Sequence, residues 1–121
     1  MSSYKDLLVW TKAIELCEDI YTLTRNFPVK EQFGLTSQMT RCAVSIPSNI
    51  AEGQKRGSLK EYIQFLRISY GSCAELETQI IIANRIGYVN KTEYENLLDQ
   101  ITIISKMLNA LIKKLSFSSK T

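Results

Sequence analysis

The sequence predicts an all-α protein, an antiparallel up-down-up-down four-helix bundle with a proline kink in its second helix. Three observations point there. Apolar residues recur at spacings of three and four through four long segments. Only five glycines and two prolines interrupt 121 residues. The breaks between segments are short, which sets helices of like length antiparallel to their neighbours. The length suits a single domain over 1–121 with one core.

The first helix is expected over about 5–25, ending before Phe27-Pro28. Leu7, Trp10, Ile14, Cys17 and Tyr21 make one apolar stripe, and Val9, Ala13, Leu16, Ile20, Leu23 and Phe27 a second. Together the stripes sweep ~200°, about twice the apolar face of an ordinary surface helix. The excess asks for a partner, and self-association is expected. The second helix, about 33–54, carries Pro47 in its interior. That proline removes an N–H that would bond the Ala43 carbonyl and pushes that carbonyl away, at a cost of ~3 kcal/mol unless neighbours compensate. The small residues Ala43, Ser45, Ser48 and Ala51 would let another helix approach.

The third helix, about 58–86, opens on Ser58-Leu59-Lys60-Glu61, a capping box, and stops near Gly87 in a left-handed turn. The fourth, about 91–115, opens on the similar Asn90-Lys91-Thr92-Glu93. Its face comprises Tyr94, Leu97, Leu98, Ile101, Ile104, Leu108, Leu111, Ile112 and Leu115, with Ile103, Met107 and Ala110 beside it. Residues 116–121 read as a loose tail.

Several classes of function lose support from composition. The chain has no histidine, which removes Ser-His and Cys-His catalysis and the Glu-x-x-His pairs of di-iron bundles. Cys17, Cys42 and Cys73 form no C-x-x-C and are expected as free, packed thiols. No cofactor and no metal are expected, and an enzymatic reading would need a metal site built from Glu52, Glu61, Glu75 or Glu77. The most apolar run, Ile80 to Ala83, falls far short of the ~20 residues of a membrane span. Met1-Ser2-Ser3-Tyr4-Lys5-Asp6 lacks the pattern of a signal peptide, so a cytoplasmic setting away from membranes is expected.

Two patterns remain. On the second helix, Gln38, Arg41, Ser45, Ser48 and Glu52 form a polar stripe, with Asn49 and Arg56 at its edge. It reads as a solvated face, as a polar network fixing helix register, or as a ligand site. The other pattern is charge. An antiparallel bundle gathers Lys5, Lys55, Arg56, Lys60, Lys113, Lys114 and Lys120 at one pole, against Asp6, Glu52 and Glu61. The pole is net +4, while the other 8 basic and 9 acidic residues give −1. Such a pole suits a phosphate backbone, or it merely complements helix dipoles. Tyr4, Tyr62 and Phe117 lie near it, but no aromatics interleave with it, so backbone-directed, salt-sensitive binding is expected through Lys5, Lys55, Arg56, Lys60, Lys113 and Lys114.

Y-K-D-L-L-V-W-T-K-A, G-L-T-S-Q-M-T-R-C-A-V-S-I-P-S-N-I-A-E-G and E-Y-I-Q-F-L-R-I-S-Y-G-S-C-A-E-L-E-T-Q resemble the bacterial four-helix-bundle family of 23S rRNA intervening-sequence proteins. The resemblance runs roughly from Tyr4 to Leu115. It implies a left-handed antiparallel bundle that assembles into a homopentamer. Arg41, Ser45, Pro47, Asn49, Glu52 and Gly53 stand at the family's signature positions, for which no catalytic role is implied. The family is similar to the accessory variability protein of diversity-generating retroelements, a basic pentamer that binds a reverse transcriptase and nucleic acid. Five poles on one face of a ring would carry about +20. The expected function is a non-enzymatic oligomeric scaffold that binds RNA or DNA beside a nucleic-acid enzyme such as a reverse transcriptase. The alternative is a protein–protein interaction module without nucleic-acid binding.

Overall fold

Hydrogen-bond devices set most of the helix ends and delimit four long helices. The structure, a computed structural model, describes residues 3–119. Ser3 Oγ accepts the Lys5 N–H at 3.1 Å and holds Tyr4–Asp6 in a separate 3-10 turn. Leu7 is extended (φ −80°, ψ 124°), so α1 spans Leu8–Thr24 rather than beginning at residue 5. The Tyr4 ring packs edge-on against Trp10, with centroids 5.4 Å apart.

After Pro28 a second 3-10 turn, Val29–Glu31, leads to α2, Leu35–Lys55. Phe33 lies just before this helix. The N-cap is Gly34, which has no side chain to cap with. Glu31 substitutes for it: one carboxylate oxygen accepts the Leu35 N–H (3.2 Å) and the other accepts the Tyr88 hydroxyl (2.9 Å).

The Leu35 N–H first, then the Tyr88 hydroxyl, hold the Glu31 carboxyl below its ordinary value. A depressed carboxyl stabilises the fold above its unfolded pKa of ~4.3 and loses that contribution as pH falls through the folded value. Urea midpoints measured from pH 6 down to pH 3 are therefore expected to fall less steeply in Glu31→Gln than in the parent.

Gly57, in the left-handed region at φ 79°, turns the chain into α3, Leu59–Arg85. Ser58 Oγ accepts the Glu61 N–H at 3.3 Å as the capping box requires. The Glu61 carboxylate meanwhile reaches Arg56 (3.6 Å). Gly87 (φ 91°) ends α3 in the expected left-handed turn, with the Tyr88 N–H returning to the Ala83 carbonyl. Asn90 and Glu93 then cap α4 reciprocally: Asn90 Oδ1 accepts the Glu93 N–H (2.8 Å), and Glu93 Oε1 accepts the Asn90 N–H (3.3 Å).

α4 spans Lys91–Ser119. Most of the expected tail is thus helix, because Ser116, Phe117 and Ser118 contain no glycine or proline to stop it. Lys120 and Thr121 lie outside the described residues.

Consecutive helices pair late residues with early ones. Cys17 meets Ala43; Ile46 meets Ser69 and Cys42 meets Ser72; Asp19 meets Gln100. The two α2–α3 pairs run in opposite directions, so α3 packs antiparallel on α2, and α4 lies against α1. The core takes the second α1 stripe (Val9, Ala13, Leu16, Ile20, Leu23) with Met39, Ile46, Ile50, Leu66, Leu76, Ile80, Ile101, Ile104 and Leu108. The first stripe stays partly open, and Tyr21 is exposed. Among the described residues no helix is long and apolar enough to cross a membrane.

α2 continues across Pro47, which is buried. Its freed Ala43 carbonyl accepts the Cys17 thiol at 3.1 Å. Burial, then the Glu18 charge, push that thiol up to about 11, so it stays protonated and able to donate. The surrounding carbonyls are also served: Cys42 by the Ser45 hydroxyl (2.6 Å), Ser45 by the Asn49 amide (2.7 Å), and Ile46 by the Ser69 hydroxyl (2.8 Å). Compensation for the proline comes from α1 and α3 and from Ser45 and Asn49 of α2 itself. Cys17→Ala is expected to cost about 1–3 kcal/mol in the parent, by leaving a carbonyl unpaired. The cost should fall by about 1 kcal/mol in a Pro47→Ala background, where residue 47 regains its N–H. A urea-unfolding double-mutant cycle measures this coupling, and strict additivity would exclude the thiol as the partner.

Candidate nucleic-acid interface

The corner between α2 and α3 brings three of the expected basic residues, Lys55, Arg56 and Lys60, together at one end of the bundle. Lys55 closes α2, Arg56 follows, and Lys60 is the second residue of α3. Lys5 lies in the 3-10 turn beside α1, whose neighbours Tyr4 and Trp10 share a groove with Ser48 and Ala51 near the end of α2. Lys113 and Lys114 belong to the last third of α4, which packs on α3. All six expected cations are exposed.

They are not equivalent. Arg56 Nη2 lies 2.6 Å from Glu52 and Nη1 lies 3.6 Å from Glu61, while its guanidinium stacks 4.9 Å from the centroid of Phe65. The Glu52 hydrogen bond above all raises its pKa. Arg56 is thus a structural cation that clamps the corner. Among the described residues, Lys5, Lys55, Lys60, Lys113 and Lys114 make no ion pair. Since the clamp engages two of the pole's acids, the lysines dominate its outward field.

Helix dipoles do not account for this arrangement. A cation is favoured only in the last turn of a helix. Lys55 meets that condition, whereas Lys60 sits in the first turn of α3, where the dipole opposes it. With α4 running to Ser119, its last turn holds no basic residue, and Lys113 and Lys114 lie further back.

The polar stripe of α2 is largely a solvated face: Gln38, Arg41, Ser48 and Glu52 are exposed. Its inner edge is tied down, because half-buried Ser45 lies 2.8 Å from the Ser72 hydroxyl and Asn49 bonds back to Ser45. Pro47 and Gly53 are buried, and a Cβ on Gly53 would come 2.6 Å from the Cβ of Phe65. Ser45, Pro47, Asn49 and Gly53 therefore shape and space α2, while Arg41 is exposed and Glu52 pairs with Arg56. Among the described residues no group of three or more acidic, cysteine or histidine side chains could hold a metal ion.

Sequence reasoning missed Phe65 beneath Arg56, whose spacing of nine residues spans the turn at Gly57. It also left out Lys106, exposed on α4. Beside Pro47, the open stripe of α1 forms a groove of about 310 Å³ with Tyr4, Trp10, Ile14, Cys17, Val44 and Ala51 on its walls.

A model of the family described as 23S rRNA-intervening sequence protein matches residues 5–110. A solved structure from Bacteroides thetaiotaomicron, described as a protein with unknown function from the S23 ribosomal protein family, is similar in sequence and fold. It is 27% identical with a TM-score of 0.81, covering 88% of this chain and 96% of that one. No curated protein matches the sequence.

Proposed function

We propose that this chain, which belongs to the 23S rRNA-intervening sequence protein family, is a non-enzymatic homo-oligomer that presents its basic pole to the phosphate backbone of RNA or DNA. The observation that carries this reading is the set of exposed, unpaired lysines at one end, Lys5, Lys55, Lys60, Lys113 and Lys114, with Arg56 held in the clamp behind them. The phosphates of a nucleic-acid backbone carry one charge each at regular spacing, and a lysine cluster meets them without base readout.

Self-association is supported by the apolar groove along α1 and α2 and by exposed Tyr21, Phe33 and Val44 on the same two-helix side. Apolar area of this kind marks a contact surface. The pentamer follows from the family resemblance. A nucleic-acid enzyme such as a reverse transcriptase is the partner such a scaffold would serve.

The test is binding of RNA and DNA fragments across a salt series, with solution mass measured on the same sample. The reading expects an oligomer whose affinity falls steeply with salt. A monomer at micromolar concentration, or absent binding at low salt, would overturn the corresponding half. A protein partner that survives nuclease treatment, with no nucleic acid bound, would favour the protein–protein module.

A further inference from the structure

The C-terminal half of α4 is chemically unlike the rest of the surface. After Asp99 the chain contains no acidic residue, yet it holds Lys106, Lys113, Lys114 and Lys120. At ~100° per residue, Lys106, Ala110, Lys113 and Phe117 project within about 60° of one another, opposite the buried Ile101, Ile104, Leu108 and Ile112. All four are exposed, and Phe117 is 73% exposed on a helical turn rather than in a tail. Lys114 flanks the strip. From Lys106 to Phe117 it runs about 16 Å along the helix.

Its inner end adjoins a groove of about 300 Å³ between α3 and α4, where Lys106 and Asn109 face the half-exposed ring of Tyr70, with Glu77 the carboxylate on the wall. The strip therefore has an aromatic ring near each end, Tyr70 beside Lys106 and Phe117 just past Lys113 and Lys114. A duplex hides the faces of its bases, whereas a single strand offers bases to rings and phosphates to ammonium groups in alternation.

We infer that the outer face of α4 is a single-strand track, on which phosphates follow Lys106, Lys113 and Lys114 while unpaired bases stack on Phe117 and Tyr70. This rests on the nucleic-acid reading above and narrows its substrate class.

Fluorescence anisotropy with 12-nucleotide oligo-U RNA and oligo-T DNA, against 12-base-pair duplexes, tests the track. Single strands are expected to bind at least ten-fold tighter than duplexes. Phe117→Ala should weaken single strands roughly ten-fold with an unchanged salt slope, and Phe117→Tyr should retain binding. Lys113→Gln with Lys114→Gln should instead lower the salt slope by about 1.4. Duplexes binding as tightly as single strands, or Phe117→Ala leaving single-strand affinity intact, would overturn the track while leaving the basic pole standing. No binding of either form at low salt would remove both. A change in solution mass on Phe117→Ala would reassign the face to a contact between copies.

Discussion

Replacing Lys5, Lys55, Lys60, Lys113 and Lys114 together by glutamine is expected to lower nucleic-acid affinity by about a thousand-fold at low salt, with the fold intact. Each lysine that neutralises a phosphate contributes roughly 0.7–0.9 to the slope of log affinity against log salt. Loss of all five should therefore flatten that slope by about 4. The fold survives because the five side chains are exposed and, among the described residues, make no ion pair. Circular dichroism and urea unfolding should be near those of the parent. Arg56→Gln is the contrasting variant. Its guanidinium is already held by Glu52 and Glu61 and stacked on Phe65, so its loss should reduce affinity far less than the lysine set does. A quintuple variant that binds like the parent would move the interface elsewhere on the molecule.

The separation of Arg56 from the lysines shows where sequence reasoning reached its limit. Glu52 stands four residues before Arg56, a spacing at which a helical ion pair can be read directly. Glu61 and Phe65 reach the same guanidinium only because Gly57 takes a left-handed conformation and folds α3 back. The four helices were legible because periodicity and caps are local: Ser58, Asn90, Glu93 and Gly87 all act within a few residues of the ends they set. The cap of α2 was not, since its carboxylate is oriented by Tyr88, 57 residues away in sequence.

For Pro47 the sequence left three sources open for the freed backbone groups, Ser48, Asn49 or a neighbouring helix, but it did not show that the donor to Ala43 is the Cys17 thiol of α1. The end of α4 was misread for a different reason. A serine-rich close to a chain resembles a tail, but nothing in Ser116-Phe117-Ser118 forces the backbone out of a helix already propagating. That difference moves Phe117 from a loose end to a fixed position beside Lys113 and Lys114.

The same Gly-to-Ala change is expected to have opposite signs at two helical positions. Alanine is favoured over glycine inside a helix by about 1 kcal/mol. At Gly71 a Cβ meets nothing within 4 Å. Gly71→Ala should thus stabilise by about 0.5–1 kcal/mol, a rise of a few degrees in Tm. At Gly53 the added Cβ would lie 2.6 Å from the Phe65 Cβ and 3.3 Å from both the Tyr62 ring and the Tyr62 carbonyl oxygen. A Cβ sits one bond from the backbone, so Phe65 cannot swing clear; α3 itself must move away from α2. Overpacking of this kind costs about 1–3 kcal/mol and occasionally more. The clash outweighs the propensity gain, and Gly53→Ala should destabilise by about 2 kcal/mol in urea unfolding. The shift would also spread the corner that carries Lys55, Arg56 and Lys60. Salt-dependent binding should weaken along with stability in Gly53→Ala and stay unchanged in Gly71→Ala. Equal and positive effects at both glycines would mean that α2 and α3 do not approach this closely, and that Gly53 does not set the spacing of the pole.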